Sequence, residues 1–289
     1  MELIIKNLSK TYPNGVKALQ DINLAVGTGM FGLVGPNGAG KSSLMRTLAT
    51  LQEADSGSIT LGDIEVFQNK QALRSVLGYL PQEFGVYPKI SAEQMLHHLA
   101  SLKGITHSGE RKEQVEALLH KTNLWETRKR QLGTYSGGMK QRFGIAQALL
   151  GSPRLVIVDE PTAGLDPTER NRFHNLLCEI GEEVIVILST HIIEDVQSLC
   201  NRVAFIQKGK VLEVGTPDEL VQNIAGKVWR RTIERNQLAE FSHLKIISTH
   251  LKSGKLDVLV WADQQPETGF NLVNPDLENL YFALMGQNA

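Results

Sequence analysis

The run Gly35-Pro36-Asn37-Gly38-Ala39-Gly40-Lys41-Ser42 combines closely spaced glycines with a terminal lysine and hydroxyl. Residues without a Cβ let successive backbone N–H groups turn inward onto an anion. A helix beginning near Lys41 would add the positive end of its dipole. The spacing fits a phosphate-binding loop in which the lysine reaches β- and γ-phosphates and the hydroxyl reaches Mg2+. Ser43 continues the same turn and is counted among the nucleotide contacts.

A second set of groups would complete that chemistry. The apolar run 155–158 ends in Asp159-Glu160, and open α/β sheets place their ligands at the carboxyl ends of strands. Asp159 would hold magnesium, directly or through water. Glu160, pointing elsewhere, would polarise the attacking water as general base. An apolar strand ending in acids is common by itself; downstream of a phosphate loop it reads as the other half of a site. Ser189-Thr190-His191 closes the next apolar run, 184–188. His191 would bond the γ-phosphate and steady the water, although a histidine at a strand end is more often a surface residue. Gln82, after the strand-like 76–80 and Pro81, would contact the metal or the water. Ser136-Gly137-Gly138 opens a helix whose apolar positions include Met139, Phe143, Ala146 and Leu150, so its N-terminus is a second anion site.

These residues need a scaffold, and the apolar pattern supplies one. Residues 1–30 read as short, largely antiparallel strands punctuated by Pro13-Asn14-Gly15 and Gly27-Thr28-Gly29. A strand over about 30–34 runs into the glycine loop, and Leu44, Leu48 and Leu51 follow at helical spacing. Residues 56–67 form a hairpin around Gly62-Asp63, and 91–150 turn helical and amphipathic, as an inserted subdomain would. Beyond Pro153 strand and helix alternate: 155–158, then a helix with Phe173, Leu176, Leu177 and Ile180 inward, Asp166 as cap, Pro167 at its first position and Gly181 at its exit, then 184–188. A break at Thr216-Pro217 sets off the remainder. There Ser253-Gly254 suits a hairpin, Leu256, Val258 and Val260 share one strand face, and Pro275 opens a last helix with Leu277, Leu280, Tyr281 and Leu284 on one side.

Thirty basic against thirty-one acidic residues leave a net charge of -1, so no global basic field points to nucleic acid. No stretch reaches the roughly 18 apolar residues needed to span a bilayer, and the first residues lack the basic and long apolar regions of a signal peptide. Cys178 and Cys200 show neither metal nor redox spacing, as expected of a reduced compartment. A cytoplasmic location is expected, with any membrane supplied by another polypeptide.

Ser136-Gly137-Gly138-Met139-Lys140-Gln141-Arg142, lying upstream of Asp159-Glu160, resembles the signature motif of ATP-binding cassette (ABC) ATPases. Tyr12, Gln82, Gly164-Leu165-Asp166 and His191 follow the family order as its adenine-stacking aromatic, Q-loop, D-loop and switch histidine. The resemblance covers about residues 1–216. It implies an α/β P-loop NTPase of the ABC type, with a mainly parallel core sheet, an N-terminal antiparallel β-subdomain and an inserted helical subdomain at about 86–150. The segment 217–289 resembles the small C-terminal α+β extensions of bacterial exporter ATPases. The same resemblance implies ATP and Mg2+ as ligands, and head-to-tail pairing in which each signature closes over the other subunit's ATP. With one phosphate loop, one signature and no internal repeat, the chain would need a second ATPase subunit, identical or related, and an integral-membrane permease. Two family departures stand out: Tyr135 where leucine is usual, and Met139 where glutamine is usual. A soluble switch in DNA repair or translation is the alternative, but the coiled-coil insertion or second cassette usual in those classes does not occur in the sequence. A regulatory module that does not turn over is disfavoured by Glu160 and His191.

Overall fold

The computed structural model describes residues 1–162 and 165–286; Gly164, expected in the D-loop, lies outside them. The chain divides into two compact units, Met1–Val211 and Leu212–Ala289. In chain order the first contains β1 (Glu2–Thr11), β2 (Lys17–Gly27), β3 (Gly29–Val34), α1 (Lys41–Leu48), β4 (Ser56–Leu61), β5 (Ile64–Glu65), α2 (Lys70–Val76) and β6 (Leu77–Leu80). Next come α3 (Ala92–Leu102), α4 (Ser108–Lys121), α5 (Gly137–Ala148), β7 (Leu155–Asp159), α6 (Pro167–Gly181), β8 (Ile185–Thr190), α7 (Ile193–Leu199) and β9 (Arg202–Gln207). Strand β10 (Lys210–Gly215) carries the chain into the second unit.

The alternating apolar residues of the first segment bury one face of an antiparallel sheet in the order β2-β1-β4-β5, with Leu3, Ile5 and Leu8 inward on β1. The uninterrupted apolar runs behave differently. Residues 155–158 and 185–188 are buried on both faces, as parallel strands covered by helices must be, and they form the order β9-β3-β8-β7-β6. Register is what matters for chemistry. Val34 lies opposite Thr190, Asp159 opposite Ser189, and Leu80 opposite Val158. The carboxyl ends of β3, β6, β7 and β8 therefore finish within about two residues of one another, and the residues that follow them, Gly35, Pro81, Glu160 and His191, emerge along one edge.

Local choices in the sequence explain most boundaries, and correct some. Leu44 and Leu48 are buried as the helical spacing requires, but Leu51 is 62% exposed; Thr50 adopts a left-handed φ of 57° and the chain turns out of the helix before it. Asp166 caps α6 by accepting from the Glu169 N–H at 2.9 Å, with Pro167 in the first turn. Gly181 is needed for space rather than for an exit turn, since a Cβ there would come 2.9 Å from Met30 Cγ. Strand β8 runs on to Thr190 because Ser189 and Thr190, although polar, are buried.

The second unit holds α8 (Pro217–Gln222), β11 (Val228–Ile233), β12 (Ile246–Lys252), β13 (Lys255–Trp261), β14 (Asn271–Leu272) and α9 (Leu277–Gly286). Thr216 and Glu219 close a capping box on α8. The sheet is antiparallel, in the order β12-β13-β11-β14, and Ser253 and Gly254 both have positive φ, as a two-residue hairpin turn demands. Val258 and Val260 pack with Ile233, Phe241 and Phe270. On α9 Leu277 and Leu280 of the expected stripe are buried, together with Asn279 and Ala283, while Tyr281 and Leu284 are half-buried. Pro275 precedes the helix, and Asp276 caps it, accepting from the Asn279 N–H at 2.7 Å.

Candidate active site

A cleft of about 660 Å³ opens at these strand ends, lined by Tyr12, Val16, Lys17, Ala18, Gln20, residues 36–43, Gln82, Glu160 and Lys208. The glycine loop forms its floor. Gly40, the cap of α1, has φ 110°, and a Cβ there would fall 2.5 Å from the Ala18 carbonyl oxygen, so both conformation and space require glycine. Lys41 begins α1 and is 5% exposed. Its ammonium donates to the Gly35 carbonyl at 2.6 Å and the Pro36 carbonyl at 3.3 Å, and stands 3.9 Å from Glu160 Oε1. Burial pulls its pKa down, against Glu160 and Asp159, which pull it up.

Tyr12 reaches the cleft through a bond the sequence did not advertise. Its hydroxyl pairs with Ser43 Oγ and with Gln52 Oε1, each at 3.0 Å, while Gln52 Nε2 donates to the Ser43 carbonyl and to Thr47 Oγ1. Gln52 thus fixes the aromatic ring against the first turns of α1. It sits in no motif, and only its distance from the loop would have flagged it.

The two adjacent carboxylates part company. Asp159 ends β7 buried, with Oδ1 accepting no hydrogen bond of ordinary geometry. Burial raises its pKa; the Ser189 hydroxyl, Lys41 and the Ser42 hydroxyl oppose the rise, and Glu160 adds to it. Glu160 takes a left-handed φ of 47° and donates its N–H to the Ser189 carbonyl at 2.9 Å. That turn swings its side chain into a cluster: Oε2 accepts from Gln82 Nε2 at 3.2 Å and lies 3.3 Å from His191 Nδ1. The structure therefore brings together Lys41, Gln82, Glu160 and His191, with Asp159 beneath. A buried, unpaired carboxylate oxygen beside a hydroxyl fits one edge of a divalent-cation site whose remaining ligands would be phosphate and water oxygens.

Ser136, Gly137 and Gly138 do not line this cleft. Ser136 caps α5, accepting from the Met139 N–H at 3.2 Å; Ser136 and Gly137 are exposed at the helix start, whereas Gly138 is buried. Gly138 is held by packing, because a Cβ would meet Glu169 Oε2 at 2.5 Å. The segment before α5 is strapped to the one after Gln82. Leu132 N–H donates to Ile90 O, Gly133 N–H to Pro88 O at 3.0 Å, and a Cβ on Gly133 would lie 2.9 Å from Pro88. Tyr135 is 5% exposed and its hydroxyl donates to the Thr127 carbonyl at 2.9 Å, so the larger ring is accommodated with its polar tip satisfied. Burial pushes its phenol pKa up. Tyr135→Phe should lower unfolding free energy by about 1 kcal/mol, the net worth of one such bond, measured by urea denaturation; an unchanged midpoint would mean that the hydroxyl contributes nothing there.

Comparison with known proteins follows the same lines. Residues 19–163 match the family described as ABC transporter. Over 98% of its length the chain is 34% identical to "Probable multidrug ABC transporter ATP-binding protein YbhF" of Escherichia coli (strain K12), covering 52% of that protein. It is 31% identical, over 98% of its length and 97% of the relative's, to "Linearmycin resistance ATP-binding protein LnrL" of Bacillus subtilis (strain 168). The chain thus spans about half of the first relative and nearly all of the second. Among solved structures, "Structure of ATP binding subunit of ABC transporter" superposes with a TM-score of 0.69 at 28% identity, over 77% of this chain and 93% of that one.

Proposed function

The chain belongs to the ABC transporter family, and from that premise we propose that it binds and hydrolyses ATP to drive a separate membrane permease, in the direction of export. The observation that carries the reading is the convergence of Lys41, Gln82 and His191 on Glu160 at the mouth of the phosphate loop. ATP lies with its phosphates on the N–H groups of residues 35–43 and its adenine against Tyr12. Lys41 turns from the loop carbonyls to the β- and γ-phosphates. Glu160 accepts a proton from the attacking water, which Gln82 and His191 hold in line. Mg2+, held by Ser42 and Asp159, would neutralise phosphate charge as it develops.

Ser136 and Gly137 are exposed at the start of α5 and lie outside this chain's own cleft, which favours a two-subunit arrangement in which the helix start formed by Ser136, Gly137 and Gly138 meets the partner's γ-phosphate. No helix among the described residues is long and apolar enough to cross a membrane, and the relatives named for multidrug transport and linearmycin resistance favour an exporter. Purification of the tagged chain from detergent-solubilised native membranes should recover a multi-span protein and a phosphate-releasing activity that EDTA stops. Recovery of ribosomes or DNA-repair proteins instead would turn the assignment to a soluble switch.

A further inference from the structure

Asp195, on α7 shortly after His191, is 0% exposed. A buried carboxylate is tolerated only where donors match its lone pairs, and here they come from distant parts of the chain. Thr162 Oγ1, just beyond Glu160, donates to Oδ2 at 2.7 Å. Arg170, on α6, donates to Oδ1 from Nε at 2.8 Å and also from Nη2, and His174 Nε2 lies 3.0 Å from the same oxygen. Glu194 adds an outer carboxylate 3.4 Å from Arg170. An apolar residue would fill such a position with less desolvation penalty, so the carboxylate needs an explanation other than packing.

The sheet register suggests what that explanation is. Strands β7 and β8 are paired as far as Asp159 and Ser189, and one further bond joins Glu160 N–H to the Ser189 carbonyl. Beyond that point, among the described residues, no ladder joins the chain after Glu160 to the chain after His191, yet Glu160 Oε2 and His191 Nδ1 stand 3.3 Å apart. The next link between the two segments among the described residues is Thr162 to Asp195. We propose that Asp195 is a positioning residue for hydrolysis: it clamps Thr162 and Arg170 to α7 and so keeps Glu160 and His191 in register. The proposal rests on the hydrolytic reading above, since it assigns the clamp to the same pair of groups.

Thr162→Val removes one donor at constant shape and tests the clamp with little risk to folding. Misplacement of a reacting group by a fraction of an ångström should lower kcat about tenfold, while KM for ATP stays within about twofold because the phosphate loop is untouched. Thr162→Ser should restore kcat. Asp195→Asn should act in the same direction, and Thr162→Val/Asp195→Asn should be no worse than the more damaged single variant. Amide exchange in nucleotide-free protein gives a readout independent of turnover: Thr162→Val should speed exchange across 189–195, a segment remote from it in sequence. A Thr162→Val enzyme with wild-type kcat, a Thr162→Ser enzyme as slow as the valine variant, or unchanged exchange across 189–195 would each overturn the clamp. A wild-type protein that releases no phosphate would instead overturn the hydrolytic reading, and the exchange measurement would still decide the clamp.

Discussion

Glu160→Gln is expected to bind ATP as the wild type does and to release phosphate at least about a hundredfold more slowly, the usual worth of a general base. The geometry makes the substitution clean. Gln82 donates to Glu160 Oε2, and the amide oxygen of a glutamine can accept the same bond, so the cluster keeps its shape while the proton acceptor is lost. What the substitution loses is the charge that faces Lys41 at 3.9 Å and His191 at 3.3 Å. With hydrolysis blocked and the nucleotide in place, the ATP-bound form should accumulate as a dimer on size exclusion, and should be absent with ADP. Steady phosphate release within about tenfold of wild type would move the base to another group. His191 is then the first candidate, because its ring is half exposed and already faces the same spot.

Lys41→Ala should act on the other side of the reaction, on binding. A charged hydrogen bond contributes about 1.5–3 kcal/mol, so Kd for ATP should rise about ten- to a hundredfold. The ammonium also ties the Gly35 and Pro36 carbonyls together, and its removal will loosen the loop on which the phosphates rest. Lys41→Arg separates the two contributions: it keeps the charge but has a planar head that fits the two carbonyls differently. Titration with a fluorescent ATP analogue measures both variants. An alanine variant with wild-type Kd would mean that the phosphates are held by backbone amides alone.

Much of this site was legible in the residues because its chemistry leaves few choices. Backbone amides that must touch phosphate demand glycine, so the run 35–42 is visible as composition. The buried strands are visible as apolar runs, and because parallel strands share one register, their ends place Gln82, Asp159, Glu160 and His191 without further information. What escaped notice depends on contacts between segments far apart in the chain. Gln52 looks like any surface glutamine until the Tyr12 hydroxyl is found on it. Leu51 keeps the helical spacing, yet Thr50 has already left the helix. On α9 the spacing picked out Leu277 and Leu280, but the burial of Asn279 and Ala283 depends on packing. Asp195 reads as an ordinary polar helix residue, because its burial comes from α6 and the chain after Glu160 closing over it.

The strap between Pro88 and Gly133 has a consequence for timing. The chain on one side of it leads back to Gln82, which donates to Glu160; the chain on the other leads forward to Ser136, which in the proposed head-to-tail pair would serve the opposite nucleotide. Tyr87, beside the strap, is 66% exposed. On the two-subunit reading proposed above, a push delivered there would be felt at both ends of this segment, so the two firing chambers would be armed, or disarmed, by the same stroke.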